Sequence, residues 1–372
     1  MIDTNNKNQI QNSCFHPKGQ SLIFGINKKR HTLNLKNKIL RFLLMKKAQI
    51  AIQFNWIFIF IVGAIILAFF LVVIKSQTTE SNAEVAAELI NNLETIIKTS
   101  QQSKGSFKSL SLPTVTIGFT CEEDISFFEL KESSYKKDNP FDIIFAPEEI
   151  SGNNLFMWSL EWKLPYPVAH FQYLTNNRIK YVIIDDTSSF AEELNKTLPK
   201  NITKSFISSN EAVVDQNYDH YRIIYFDTKP TNINTPEKKT SYLNVTVSGT
   251  NIDSYGELEF FNGNKDSLGK NKFLKLESLL GAVFSNTEEF YNCTMKKAFE
   301  RLNIINSVHN NRANNLSQSQ IDSTCKILYL TTEQAILTTL ELKDAHTIYI
   351  NAQDIKKYNE DLMRGKNCPL IY

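Results

Sequence analysis

The sequence predicts an α/β fold in which a long N-terminal helix carries an extracytoplasmic head, built from a mixed sheet and a C-terminal helical part. Three observations predict it: a long apolar run near the start, short β-branched runs between turn-forming residues, and helical spacing of apolar residues near the end. They divide the chain into five segments, namely 1–44, 45–75, 76–105, 106–275 and 276–372.

The apolar run predicts a transmembrane helix. No residue between Lys47 and Lys75 is charged, and at about 1.5 Å per residue the part from Phe54 to Ile74 would cross the roughly 30 Å of a bilayer's hydrocarbon. A buried core helix is the alternative, but such helices rarely exceed about 14 uncharged residues. A cleavable secretory signal would have an apolar region of only about 7 to 15 residues.

Charge is divided unevenly along the chain. Residues 1–47 hold ten Lys or Arg against Asp3, a net +9, whereas the remaining residues hold 31 bases against 38 acids, a net −7. Positive charge before a first hydrophobic helix keeps that side in the cytoplasm, so Ser76 to Tyr372 are predicted to lie outside. The acidic head has no basic stripe for a phosphate backbone, which excludes nucleic acid as a partner.

The first 44 residues differ from the rest. They are basic, rich in Asn and Lys, and without sustained apolar periodicity, which predicts a disordered segment. Two interpretations stay open: a cytoplasmic tail of a chain that starts at Met1, or a stretch upstream of a true start at Met45.

The stretch KKAQIAIQF, which heads the apolar run, resembles the class III signal of archaeal type IV pilin-like proteins. The resemblance implies that a prepilin-type peptidase cuts on the cytoplasmic side of the helix, between Ala48 and Gln49. Lys46 and Lys47 then form the short basic leader, and the mature chain keeps its membrane helix.

The resemblance also implies a function. It indicates a single-pass cell-surface protein that acts as a minor pilin or as an adhesion or assembly component. The bilayer, the prepilin-type peptidase and other pilin-like subunits are the implied partners. The family usually carries a glutamate where this chain has Gln53, and a neutral amide supplies no countercharge to a neighbour's N-terminal amine.

An amphipathic helix is predicted for residues 76–105. Apolar residues recur at spacings of three and four, namely Ala83, Ala86, Leu89, Ile90, Leu93, Ile96 and Ile97. The run from Gln101 to Gly105 predicts its end. A coiled-coil stalk is the alternative, because heptad stripes have a similar spacing.

The head begins with five predicted strands, at Thr114–Phe119, Phe141–Phe145, Lys180–Ile184, Ser205–Ser208 and Tyr221–Phe226. Between the third and fourth lies a predicted helix, with Thr187 or Ser188 as N-cap and Pro199 beyond its end. A strand–helix–strand unit favours a partly parallel sheet.

A hairpin and four helical stretches follow. Alternating residues around Gly249 to Gly256 predict a hairpin at the sheet edge. Helices are predicted at Leu276 to Phe284, from Glu288 to about Val308, around Thr331–Leu342 and at Ala352–Met363. The stretch HNNRANNLSQSQ, residues 309–320, is predicted to be a polar loop.

Cysteine usage predicts disulfides. Four of the five cysteines lie in the head, an even number in a compartment where disulfides persist: Cys121, Cys293, Cys325 and Cys368. Of three possible pairings we favour Cys293 with Cys325 and Cys121 with Cys368. Free buried thiols are the alternative, and no spacing of a metal site is present.

Five N-glycosylation sequons occur in the head, at Asn195, Asn201, Asn244, Asn292 and Asn315. We favour Asn201 and Asn315 as carriers of glycans because their surroundings resemble loops. Asn292 is expected to be poorly placed if its neighbour Cys293 is buried.

Signals of catalysis are weak. Asp185 and Asp186 end a predicted strand, where α/β enzymes place acids, so a membrane-anchored extracytoplasmic enzyme is the alternative function. Paired acids after a strand more often belong to a helix cap and a solvated turn. The head's histidines lack ligand spacing, and no motif predicts a cofactor or a metal. The aromatic stretch Leu155 to Leu174 is interpreted as core, with a binding surface as the alternative.

Overall fold

The computed structural model describes residues 57–72, 88–99, 105–122, 125–131, 133, 135–185, 189–209, 217–227, 229–230, 233, 239–319, 323–336, 341–365 and 368–372. They belong to two compact units, Met1–Ile74 and Lys75–Tyr372. The segment 1–44, the leader lysines Lys46 and Lys47, and the predicted cleavage residues Ala48 and Gln49 lie outside the described residues.

In the first unit, residues 57–72 form a helix. Its large apolar side chains are exposed, from 50% for Ile66 to 72% for Phe60. Across the residues that the structure describes, no helix combines the length and the apolar character needed to cross a membrane. The transmembrane helix over 45–75 therefore stays a prediction.

The second unit begins with helix α1, residues 88–99. Its apolar stripe faces inward, because Ile90, Leu93 and Ile97 are at most 2% exposed and belong to the main hydrophobic core. On its outer side Glu94 forms an ion pair with Lys137. The described part of the predicted 76–105 helix is thus helical and packs into the head.

Six strands form the first sheet, here called sheet A. They are β1 (Phe107–Glu122), β2 (Ile125–Leu130), β3 (Tyr135–Asn139), β4 (Ile143–Phe145), β5 (Glu149–Lys163) and β6 (Pro167–Thr175). Their order is β3-β2-β1-β5-β6-β4, and only β4 and β6 run parallel. The predicted strands Thr114–Phe119 and Phe141–Phe145 fall on β1 and β4.

Sheet B also has six strands. They are β7 (Ile179–Asp185), β8 (Lys204–Ser208), β9 (His220–Phe226), β10 (Thr240–Val247), β11 (Tyr255–Phe261) and β12 (Ser267–Leu274), in the order β12-β11-β10-β9-β7-β8. Strands β7 to β10 are parallel and the last two are antiparallel. The predicted partly parallel sheet is confirmed. The β10–β11 hairpin is confirmed as well, but β12 rather than the hairpin forms the edge.

Helix α2 (Phe190–Thr197) connects β7 to β8. It buries Ala191 and Leu194, and Glu192 and Glu193 lie in its first turn, where acids interact favourably with the helix dipole. The helix begins after Ser189, while the predicted caps Thr187 and Ser188 lie outside the described residues. This strand–helix–strand unit matches its sequence pattern.

Four helices close the chain: α3 (Lys275–Phe284), α4 (Glu288–Ser319), α5 (Ser323–Ala335) and α6 (Ala345–Gly365). The predicted polar loop at 309–320 is wrong, because α4 continues to Ser319. The reason is tertiary: Ala313 and Ser317 are buried on one face of α4, and Ala313 packs with Cys325 and Tyr329 of α5. Packing outweighs the weak helix propensity of the asparagines.

Aromatic side chains from β5 and β6 occupy the main core. Trp162 and Tyr173 are fully buried, and Trp162 stacks on Phe171 at 5.2 Å between ring centroids. Trp162 also donates its indole N–H to the backbone oxygen of Leu274. The interpretation of Leu155 to Leu174 as core is confirmed, whereas the two strands that contain it had not been predicted.

The disulfide pairing differs from the one favoured from the sequence. Cys121 is bonded to Cys293, with 6.4 Å between their Cα atoms, and Cys325 to Cys368, with 5.9 Å. The pairing of Cys293 with Cys325 is wrong because α4 lies against sheet A at this point, where Thr294 donates to the backbone oxygen of Ile144 at 3.2 Å. Cys293 therefore faces the end of β1 rather than α5.

Candidate functional site

A cavity of about 670 Å³, lined mostly by polar residues, lies between the two sheets and the segment that precedes α4. Its volume is within the range of about 300 to 1,000 Å³ typical of small-molecule sites. Four parts of the fold line the cavity: sheet A, the amino ends of the parallel strands, the β11–β12 turn and the segment before α4. Among the lining residues are Glu148, Glu149, Ser151, Ile179, His220, Ser241, Asn262, Asn264, Asn286 and Thr287.

The pairing of β9 with β10 determines the floor of the cavity. The two strands run parallel with Arg222 opposite Ser241, so His220, two residues before Arg222, lies at the same end of the sheet as Ser241. His220 Nε2 and Ser241 Oγ are 2.9 Å apart. Residues 21 positions apart in the sequence thus form one hydrogen-bonded pair.

A buried arginine contacts this pair from the interior of the protein. Arg222 is fully buried and donates from Nη1 to Ser241 Oγ at 3.1 Å and from Nη2 to the backbone oxygen of Ala282 at 2.8 Å. Its guanidinium also lies 5.3 Å from the ring of Phe260. Within the described residues no carboxylate forms an ion pair with it, and its Nε has no hydrogen-bond partner.

Burial and charge keep His220 neutral. Burial, together with the nearby Arg222 charge, lowers the pKa of His220 to about 3. Burial also lowers the pKa of Arg222 to about 9, so the guanidinium stays charged at neutral pH. At physiological pH the floor therefore consists of an uncharged imidazole and a hydroxyl.

The pair has the geometry of a nucleophile and its base but not the electrostatics. A general base must accept a proton, and in serine hydrolases a buried carboxylate stabilises the resulting imidazolium. Here Arg222 opposes that charge, and a base with a pKa near 3 accepts a proton poorly at neutral pH. The arrangement is suited to donating and accepting hydrogen bonds rather than to activating Ser241.

Carboxylates lie at the sheet A side of the cavity. Burial, with the nearby charges of Glu149 and Glu289, raises the pKa of Glu148 above its ordinary value. Asp219, beside His220, is neutralised by Arg178, with 2.8 Å between Arg178 Nη2 and Asp219 Oδ1. Among the described residues no group of three or more His, Cys, Asp or Glu is placed to hold a metal ion.

Asp185, one of the two acids considered for the alternative enzymatic function, does not line this cavity. Asp185 is the exposed last residue of β7, whereas Ile179, the first residue, lines the cavity. At about 3.3 Å per residue the two ends of β7 are roughly 20 Å apart. Asp186 lies outside the described residues.

The favoured glycan acceptors are accessible. Asn201 is exposed in the turn after α2, and Asn315 is exposed on α4, in a helix rather than the expected loop. Asn292 is also exposed, although Cys293 is buried, because the two residues lie on different faces of α4. The expectation that burial of Cys293 would place Asn292 poorly is therefore wrong.

Sequence reasoning missed His220, Ser241 and Arg222 as one group. The available signal was Arg222 itself, a charged residue inside the apolar run Tyr221–Phe226. A cation there indicates a buried polar network, but not its members, which depend on the register of β10.

Comparison of the chain with models of protein families, with curated proteins and with solved structures finds no match.

Proposed function

We propose that this chain is a single-pass, membrane-anchored cell-surface protein of pilin-like design, acting as a minor pilin or as an adhesion or assembly component. The observation that carries the proposal is the apolar helix at 57–72. It exposes Phe58, Phe60 and Phe69 by 64% or more and contains no charged residue. Apolar surface of this extent is unfavourable in water and favourable in hydrocarbon.

The surrounding sequence supports an anchor with a defined orientation. The uncharged run covers 48–74, longer than the described helix, and the net charge of +9 precedes it. Such a charge holds the amino-terminal side in the cytoplasm. The head, from Ser76 onward, would then be extracytoplasmic.

Two features of the head support this location. The bonds Cys121–Cys293 and Cys325–Cys368 are of a kind that persists in oxidising compartments. The exposed sequons at Asn201 and Asn315 are available for glycans.

Helix α1 supports the pilin-like design. It buries Ile90, Leu93 and Ile97 in the same core as both sheets, and Lys137 of β3 bonds Glu94 and Asn91 on its side. A helix that packs into the core of the head is the arrangement that the pilin-like resemblance implies for the segment after the anchor. The class III signal then places processing by a prepilin-type peptidase between Ala48 and Gln49, and Gln53 limits assembly into long filaments.

Fractionation followed by N-terminal sequencing tests the proposal. We expect the chain in the membrane fraction, with the head digested by protease added outside intact cells and a mature N-terminus at Gln49. Ala48→Lys is expected to block processing without blocking insertion, because it adds charge to the side already held inside. A chain found only in the soluble fraction would contradict the anchor, and a membrane-bound chain that retains Lys46 and Lys47 would contradict the pilin-type signal alone.

A further inference from the structure

The cavity between the two sheets is lined by side chains that differ from those of most small-molecule sites. Among the described residues that line it none is aromatic, and Ile179 and Leu268 are its large apolar members. Sites for planar or apolar ligands are lined mainly by hydrophobic and aromatic side chains. Most of the lining residues can hydrogen-bond a polar ligand, and the apolar part of the surface can contact a ligand's carbon atoms.

Charge narrows the class of ligand. Glu148 and Glu149 are adjacent at the rim, and Lys239 is exposed. The two rim carboxylates are balanced by two cations, Lys239 in the lining and Arg222 behind Ser241, so the charges of the cavity favour a neutral ligand. A metal ion is disfavoured too, because no cluster of three metal-ligating side chains occurs among the described residues.

The amides of the wall divide into two groups. Asn176 and Asn262 are used within the protein: Asn176 donates to the backbone oxygen of Ser151 at 2.7 Å, and Asn262 donates to Asp266 Oδ2 at 3.0 Å. Within the described part of the chain, Asn264 and Asn286 make no such side-chain hydrogen bond, and both line the cavity. Each keeps a carbonyl acceptor and an NH₂ donor for a ligand.

We propose that this cavity binds a neutral carbohydrate, with Asn264 and Asn286 on the wall, Ser241 and His220 on the floor, and Glu148 at the rim. Each hydroxyl of a sugar both donates and accepts a hydrogen bond, so a sugar uses amides, hydroxyls, a neutral imidazole and carboxylates together. This proposal goes beyond the proposed surface function by naming a ligand. It rests on that function only for the location of the cavity outside the cell.

An oligosaccharide array tests the proposal directly. The probe is the purified full chain in a detergent without a sugar headgroup, applied to neutral and to uronic-acid-containing oligosaccharides. We expect retention on neutral oligosaccharides, and affinity about 3- to 10-fold weaker for Asn286→Ala and for Asn264→Ala, the loss expected for one neutral hydrogen bond. Asn311→Ala is the matched control, an exposed asparagine of α4 away from the cavity lining, and is expected to bind like the wild type.

Three outcomes would overturn the proposal: no retention of any neutral oligosaccharide, preference for the acidic ones, or unchanged affinity in both cavity variants. Asn264→Ala lies on an exposed turn, so the test does not depend on a substitution that disturbs the core. The array uses purified protein and the fractionation uses cells. Absence of sugar binding would therefore not contradict the membrane anchor. Absence of the anchor would not contradict a positive result for sugar binding.

Discussion

Two of the head's hydrophobic regions are stabilised in different ways. The main core joins both sheets, α1 and α3, and it is rich in aromatic side chains such as Trp162 and Tyr173. The second region, here called the C-terminal satellite, has a small set of buried side chains: Ala313, Cys325, Tyr329, Leu362, Cys368 and Ile371. The free energy of apolar burial grows with buried area, so the satellite receives far less of it.

In the satellite, a disulfide and hydrogen bonds compensate for the small buried apolar area. A disulfide joins Cys325 of α5 to Cys368 of the carboxyl-terminal tail. The tail's backbone oxygens accept hydrogen bonds from Tyr329 Oη at Pro369, 2.7 Å, and from Arg312 Nε and Nη2 at Leu370, 3.1 and 3.0 Å. A region with little apolar area is thus held by a covalent bond and by side chains that bond the backbone.

The largest effect on stability is expected from removing the disulfide that links β1 to α4. Cys121 and Cys293 are 172 positions apart, and the chain-entropy model gives about 5 kcal/mol for a closed loop of that length. The double variant Cys121→Ser with Cys293→Ser should lower the free energy of unfolding of the whole head by up to that amount. Denaturant unfolding followed by the fluorescence of the buried Trp158 and Trp162 measures it. An unchanged midpoint would show that this bond contributes nothing to the core.

Loss of the satellite's bond should act locally. The loop between Cys325 and Cys368 spans 43 positions, for which the same model gives about 4 kcal/mol. Because the satellite has its own cluster of buried side chains, Cys325→Ser with Cys368→Ser should speed hydrogen exchange in α5 and in 368–372 and leave β5 and β6 protected. Equal acceleration in β5 would mean that the two regions unfold as one.

A buried carboxyl group makes the main core sensitive to pH. Burial, with the nearby Asp253, raises the pKa of Glu277 to about 7, and its Oε2 has no hydrogen-bond partner among the described residues. Between pH 4.5 and 7 the folded head binds this proton more tightly than the unfolded chain, so the free energy of unfolding falls as pH rises through that window. Glu277→Gln should therefore stabilise the head by about 2–3 kcal/mol at pH 8 and leave it unchanged at pH 4.

Urea unfolding at both pH values measures the effect of Glu277→Gln. Glu341→Gln, an exposed acid outside the main core, is the control and should show no such pH dependence. Equal gains at pH 4 and pH 8 would contradict the assignment of this titration to Glu277.

The smallest effect is expected for an exposed side chain of the satellite. Arg312→Ala removes two hydrogen bonds to the backbone oxygen of Leu370, both near the surface. We expect a loss of about 1 kcal/mol, and faster hydrogen exchange confined to the tail. Arg364→Ala, which removes an exposed ion pair with Glu360 on α6, is the control and should cost less.

Sequence patterns predicted the features that depend on nearby residues. The strands at Lys180–Ile184 and Tyr221–Phe226, with the helix between β7 and β8, could be read from β-branched runs and Pro199. Strands β5 and β6 were missed because Pro165 and Pro167 interrupt the stretch, and because apolar and polar residues do not alternate strictly along it. Its cross-strand partners, such as Trp158 with Tyr173, become visible only in the fold.

Two further misses are contacts between residues far apart in the sequence. Cys121 meets Cys293 because α4 crosses sheet A, and His220 meets Ser241 because β10 pairs with β9 in one register. Neither contact leaves a spacing that sequence alone would reveal. The candidate cavity could therefore not have been predicted, although the class of the fold could.

The position of the Cys121–Cys293 bond also determines how the head responds to mechanical load. Strands β2 to β12 lie between the two cysteines, inside a closed loop of 172 positions. Tension between α1 and the carboxyl terminus would pass from β1 through this bond into α4 and bypass the loop. At about 3.5 Å per extended residue, roughly 600 Å of chain stays withheld from stretching. Tension on the tether would therefore load β1 directly, whereas β2 to β12, including all of sheet B, would stay within the closed loop and outside the path of the force.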